Sequence, residues 1–242
     1  LNLGRAAAPA SRQLEIDGLR VEVVRKRIKN LHLRILAPQG QVRVTVPLRV
    51  DDQAVRQLVM AKFDWIKAKQ AEIIARPQPR PRQMISGETL DFLGQAYRLN
   101  IIEHQGANRV ELTAQSLDLY VRPATDLARR AALLDQWYRR QLKSWIPPLL
   151  ARWQPVIGVH VAAWGVKKMK TRWGSCNIRA RRIWLNLELA KKPFACVEYV
   201  LVHELVHLLE PSHNARFKEL MHQFLPQGYV SQARLKRDSV AR

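Results

Sequence analysis

Apolar and polar residues alternate over the first fifty positions. Val21 and Val23 flank Glu22, and Leu31, Leu33 and Ile35 alternate with His32 and Arg34. A period of two predicts strands with one buried face. Pro38-Gln39-Gly40 predicts a turn and Val42, Val44 and Val46 a return strand, so the stretch reads as a hairpin. The period then lengthens. Behind the capping residues Asp51 and Asp52, Val55, Leu58, Val59, Phe63 and Ile66 lie on one stripe of a helix that runs to about Arg76.

Prolines alternate with Arg and Gln from Arg76 to Arg82 and deny that stretch backbone donors, which predicts a stiff linker. Short strands are predicted at Thr89–Phe92, Tyr97–Ile102, Arg109–Leu112 and Leu117–Val121. Asp126 to Trp153 predicts a long amphipathic helix, which Pro147 and Pro148 should kink or split. Strands follow at Val159–Arg172 and Ile183–Leu189. Pro193 suits a first helical position, so a helix is expected from there to about Glu210, stopped by Pro211. Two more are expected, Ala215–Phe224 and Ser231–Val240. No internal repeat is visible. The pattern predicts an α+β chain: a disordered tail (1–12), a β-hairpin and helix (13–76), the Pro/Arg linker (77–83), a β-rich segment (84–122) and a C-terminal domain (123–242).

Hydrophobic residues at 47% and charged residues at 25% exclude wholesale disorder. No apolar run reaches the roughly 18–20 residues of a membrane helix, so no membrane partner is expected. Two cysteines, Cys176 and Cys196, cannot build a disulfide framework; they are expected reduced, in a cytoplasmic protein. Charge changes the picture more. Lys and Arg number 41 against 20 Asp and Glu, a net +21. Such a field attracts polyanions, nucleic acid or nucleotides, although a basic surface without a dedicated partner accounts for the same number.

The chemistry lies on the Pro193–Glu210 helix, which reads His203-Glu204-Leu205-Val206-His207. Residues four apart share a helical face, so both imidazoles can reach one metal ion. Glu204, rotated about 100°, stands near the ion without being needed as a ligand and can take a proton from metal-bound water. Catalytic zinc commonly has three protein ligands. His213, beyond the helix-ending Pro211, is the expected third, with Glu219 or His222 as substitutes. The spacing of His207 and His213 matches the metzincin pattern, but Glu210 stands where that pattern has Gly, so a metzincin is not expected. Val200, Leu201, Leu205, Val206 and Leu208 make the helix flanks apolar. Unpaired imidazoles and a carboxylate are costly in such surroundings, and a metal relieves that cost.

Arg172-Trp-Gly-Ser-Cys176, Trp184-Leu-Asn186, Tyr199 to His207 and His213-Asn-Ala-Arg-Phe217 resemble the YgjP-like metallopeptidase family, which is related to the SprT and WLM groups of zincin-type proteases. The resemblance covers essentially the whole chain. It implies a zincin-like domain in 123–242, with the HExxH helix packed on a small mixed sheet. It also implies His203, His207 and His213 as zinc ligands and Glu204 as general base. Asn214 and Lys218 stand where relatives often show Ser and Trp, positions that concern packing of the next helix. The relation to SprT and WLM implies action near DNA.

The expected function is therefore a zinc-dependent metallopeptidase in which Glu204 activates zinc-bound water, with a protein or peptide substrate. Arg172, Tyr199 and Tyr229 are candidate oxyanion donors. Arg172–Cys176 reads as a tight turn at Gly174 beside the site. Ile183–Leu189 is a candidate substrate-binding edge strand, with Asn186 and Glu188 facing either the cleft or solvent. Lys167, Lys168, Lys170, Arg172, Arg179, Arg181, Arg182, Lys191 and Lys192 crowd the strands around Trp164, Trp173 and Trp184, and Arg25, Lys26, Arg27 and Lys29 form a second cluster. Bases with interleaved aromatics are equipment for single-stranded DNA. The alternatives are a metal-dependent UTP-type pyrophosphatase, a label also used in the family, and a nucleic-acid-binding module with a metal site. The lack of a P-loop and of an acidic magnesium cluster weighs against the first, and an intact Glu204 against the second.

Overall fold

Strand-forming alternation carries the chain from Ser11 to Pro47 in the computed structural model, which describes residues 11–75 and 82–238. Contacts divide the chain into two units, 1–80 and 81–241. The tail expected over residues 1–10 and the linker residues 77–81 lie outside the described residues. Ser11 and Arg12, expected in the tail, already pair with Val24 and Val23.

The first unit holds β1 (Ser11–Ile16), β2 (Leu19–Lys26), β3 (His32–Leu36) and β4 (Gln41–Pro47). Their order is β1-β2-β4-β3, with a parallel central pair and antiparallel outer pairs. Val21, Val23, Val42, Val44 and Val46 are fully buried in one core with Val55, Val59, Ile66 and Ile73 of the helices behind. α1 (Asp52–Ala61) is capped by Asp51, whose carboxylate accepts from the Ala54 N–H at 2.8 Å. The single helix expected to Arg76 instead breaks at Lys62 (φ −118°, ψ 16°) before α2 (Phe63–Ala75). The apolar stripe continues across the break, so periodicity carries no sign of it.

The second unit opens with β5 (Thr89–Phe92), β6 (Gln95–Glu103), β7 (Arg109–Leu112) and β8 (Ser116–Val121), in the order β5-β6-β8-β7 and with the same pairing as the first sheet. Both sheets begin with a hairpin whose two-residue turn has positive φ throughout, Asp17-Gly18 and Leu93-Gly94. Both lead to a helix with an Asp cap, Asp51 and Asp126. The chain thus repeats one strand–helix arrangement, contrary to the expectation of no repeat.

α3 (Leu127–Ile157) runs as one helix through Pro147, Pro148 and Pro155 and is not split there. Ile146, Leu149, Leu150 and Trp153 around the prolines are buried. Each such side chain contributes about 1.5–3 kcal/mol, so their burial together is of the same order as the roughly 3 kcal/mol cost of each interior proline. One core joins Leu90, Leu99, Leu117 and Leu119 of the sheet, Leu134, Trp137 and Leu142 of α3, and the elements that follow. No core boundary falls at 122, where the β-rich segment was expected to end.

A third sheet holds β9 (Ala163–Lys167), β10 (Gly174–Asn177) and β11 (Arg182–Asn186), ordered β10-β11-β9. Both expected strands are therefore shorter. β11 ends where Asn186, fully buried, turns the chain into a 3-10 helix, Leu187–Lys191. The Asn186 carbonyl oxygen accepts from the Met169 and Glu188 N–H groups, and its amide donates to the Met169 and Arg172 carbonyls. It thereby holds the segment leading into β10. Leu93 and Gly94 donate to the Ala190 and Lys191 carbonyls at 3.0 and 3.2 Å. Gly94 fits there because a Cβ would lie 2.6 Å from the Pro193 ring. α4 (Phe194–Val206), α5 (Ala215–Phe224) and α6 (Gly228–Arg237) complete a mixed α/β fold of six α-helices and three small mixed sheets among the described residues. No helix is long and apolar enough to cross a membrane.

Candidate metal centre

α4 is apolar on nearly every face and buried accordingly. It ends at Val206, short of the expected Glu210, so His203 sits in its last turn and His207 is its C-cap. The chain then reverses. His207 Nδ1 donates to the Glu210 carbonyl at 3.2 Å, the Glu210 carboxylate accepts from the Ser212 N–H, and Asn214 N–H bonds to the Ser212 carbonyl. This turn carries His213 back, and its Nε2 lies 3.0 Å from His203 Nε2. One nitrogen from each of His203, His207 and His213 falls within 4.8 Å of the others. Glu219 and His222, the expected substitutes, are not in this group.

The donor chemistry fits a metal ion. A carbonyl only accepts, so His207 Nδ1 carries the proton and Nε2 is left with its lone pair. Burial, then the neighbouring imidazoles, hold His203 down to about 3, and burial lowers His207. These rings are neutral near pH 7 and can present lone pairs. The 3.0 Å approach of the two Nε2 atoms is close to the ~3.3 Å between two nitrogens on one tetrahedral zinc ion. His203 Nδ1 is buried without a hydrogen-bond partner.

Phe217, which pattern reading did not single out for a role, underlies the cluster. Its ring is 4.8, 4.7 and 4.8 Å from those of His203, His207 and His213, and it is buried. Asn214 caps α5 by accepting from the Phe217 N–H at 3.0 Å, so the residue expected to affect only packing aligns this floor. The four-residue spacing from His213 to Phe217 was the available signal.

Glu204 is buried on the flank toward β10. Burial pushes its carboxyl up to about 8, against the pull of Arg172. Gly174 is the reason it fits: a Cβ there would lie 2.4 Å from Glu204 Oε1. The expected turn at Gly174 is instead extended strand, paired with Leu185 of β11. Cys176 shares this wall, but burial and then the Glu204 charge raise its thiol to about 11, so it is no thiolate nucleophile at neutral pH. A cleft of about 580 Å³ runs along β10 past His203, Glu204, His207 and His213, with Arg172 and Tyr199 also on its walls. Tyr229 is 68% exposed and lines a neighbouring cavity instead.

The substrate-edge expectation is corrected. β11 is the central strand, paired on both sides, and has no free edge. Asn186 faces neither cleft nor solvent, and Glu188 is ion-paired with Lys191. The strand beside Glu204 is β10, whose outer edge pairs with no strand among the described residues.

A metallopeptidase family model, described as YgjP-like, metallopeptidase domain, matches residues 29–238. The chain belongs to the YgjP-like family of metallopeptidases. Among curated proteins none matches it. Among solved structures, the metallopeptidase zymogen abylysin of Pyrococcus abyssi is similar at 17% identity and a TM-score of 0.36, covering 38% of this chain and 93% of that one.

Proposed function

We propose that the chain is a zinc-dependent peptidase of zincin type, with the α4 helix packed against β10 and β11. His203, His207 and His213 would hold the ion and Glu204 would act as general base. The convergence of three imidazole nitrogens within 4.8 Å, in the same cleft as a buried carboxylate, carries this reading. When bound, zinc supplies Lewis acidity, which lowers the pKa of water to about 7 and polarises a carbonyl. The charge of a bound cation would favour the ionised form of Glu204 against the effect of burial, and its carboxylate would then take the proton of the attacking water and return it to the leaving amine as the C–N bond breaks. The free edge of β10 offers backbone groups to an extended peptide. Arg172 and Tyr199 line the cleft and are the candidates to donate to the developing oxyanion.

Metal analysis with casein digestion tests the reading. We expect about one zinc per chain, lost in His203→Ala and His207→Ala and weakened in His213→Ala. Full occupancy in His213→Ala would reassign the third ligand to Glu219 or His222. UTP, tested alongside, should remain intact.

A polyanion partner is the second part of the reading. Lys167 and Arg182 lie over the Trp184 ring at 4.8 and 5.9 Å, so basic groups stand beside an aromatic side chain, a combination that single-stranded nucleic-acid sites use. Lys168, Lys191 and Lys192 are ion-paired with Asp135, Glu188 and Asp238 and have less charge to offer. Single-stranded DNA should bind with an affinity that drops about 300-fold from 50 to 200 mM salt if six phosphates are contacted. Lys167→Glu with Arg182→Glu should abolish most of it with zinc retained. Binding indifferent to both salt and that change would leave the positive charge as a solvated surface.

A further inference from the structure

Two cavities meet at the histidines. The second, of about 430 Å³, lies on the α5–α6 side and shares Tyr199, His203, His213 and Gln232 with the β10 cleft. Its floor is apolar. Phe217 and Met221 are buried there, and Leu225 closes it. Gly228 keeps one wall thin, since a Cβ would lie 3.0 Å from the Tyr199 ring. Proton transfer by Glu204 makes no use of this space.

The exposed charges that line both cavities are basic; among the described residues Glu204 is the one carboxylate lining either of them, and it is buried. Lys218 stands exposed at the rim of the second cavity, and Arg172 and Lys236 stand exposed on the first. A carbonyl held at the histidines leaves the adjoining side chain beside the border of the two cavities, which Tyr199, His203, His213 and Gln232 share. An apolar side chain there loses water to an apolar floor, whereas Lys or Arg meets Lys218.

We infer that the second cavity is a specificity pocket for a bulky apolar side chain next to the scissile bond, and that the preferred substrate is an acidic peptide segment. The inference rests on the peptidase reading above. The pocket fills as the peptide pairs with β10, and acidic residues on either side face Arg172, Lys236 and Lys218.

The test uses the full-length zinc-loaded protein and synthetic peptides varied one position at a time around a central bond, with cuts read by mass spectrometry. At one of the two positions flanking the cut, Leu, Met or Phe should be preferred over Gly or Lys by about tenfold or more in kcat/KM. Acidic neighbours should be preferred over basic ones. Met221→Ala should shift the pocket preference toward larger side chains and Met221→Phe toward smaller ones. Lys218→Glu, at an exposed site with little bearing on folding, should reduce or reverse the preference for acidic neighbours and so serves if the Met221 variants misfold. Cleavage indifferent to the flanking side chain, or a profile unmoved by these variants, overturns the pocket and leaves the peptidase reading standing. Failure of the wild type to cut any peptide or casein overturns both.

Discussion

On the proposed mechanism, Glu204→Gln is expected to reduce peptide hydrolysis by about 10²–10⁴-fold in kcat and to leave zinc and fold in place. The amide has nearly the shape of the acid, so the space against Gly174 stays filled. It cannot accept the proton that the attacking water must lose. The three imidazoles are untouched, so metal analysis should return the wild-type value. Zinc content and kcat measured on the same preparation separate this outcome from misfolding, which would lower both. His203→Ala makes the contrast, since it should lose metal and activity together. A Glu204→Gln protein that retains both zinc and wild-type turnover would place the chemistry elsewhere.

Gly174→Ala is expected to lower kcat by roughly 10²-fold, although residue 174 bears no reactive group. The added Cβ would lie 2.4, 2.8 and 2.9 Å from Oε1, Cγ and Cδ of Glu204, contacts that cannot persist. The strand has little room to retreat, because Gly174 pairs with Leu185, which is 1% exposed. The carboxylate must therefore move. A displacement of about 1 Å at a reacting group costs on the order of 10²-fold. Because the substitution touches none of the histidines, zinc should remain. Combining Gly174→Ala with Glu204→Gln should cost no more than Glu204→Gln alone, since both act through one carboxylate. Additive losses in that cycle would show that Gly174 acts by another route.

The candidate site was legible where the relevant geometry is local. Helical spacing alone places His203 and His207 on one face, because that relation depends only on 3.6 residues per turn. Apolar flanks announced that α4 is buried, and the strand periods and the Pro193 start of α4 could be read from residue type. Which third side chain approaches was open, because it depends on a turn. Glu210 holds that turn through its carbonyl and carboxylate, contacts with no periodic signature. Phe217 acquires its place under three rings by the same reversal.

Strand order was beyond reach for a related reason. Alternation tells which face of a strand is buried and says nothing of its neighbours, so β11 could pass for an edge until its pairing with both β9 and β10 was seen. The same blindness hid the repeated sheet topology. The prolines of α3 misled because a local penalty was weighed without the burial of Ile146, Leu149, Leu150 and Trp153, which is of comparable size. The sequence by itself determined the helical pair of histidines, the adjacent acid and the periods of the elements, all relations within a few residues along the chain. Only the tertiary structure decided that Gly174 lies against Glu204, that Asn186 holds the segment before β10 and that two cavities meet at the histidines. Those depend on packing between elements distant in sequence, where close approach and buried hydrogen bonds, not propensity, select the arrangement.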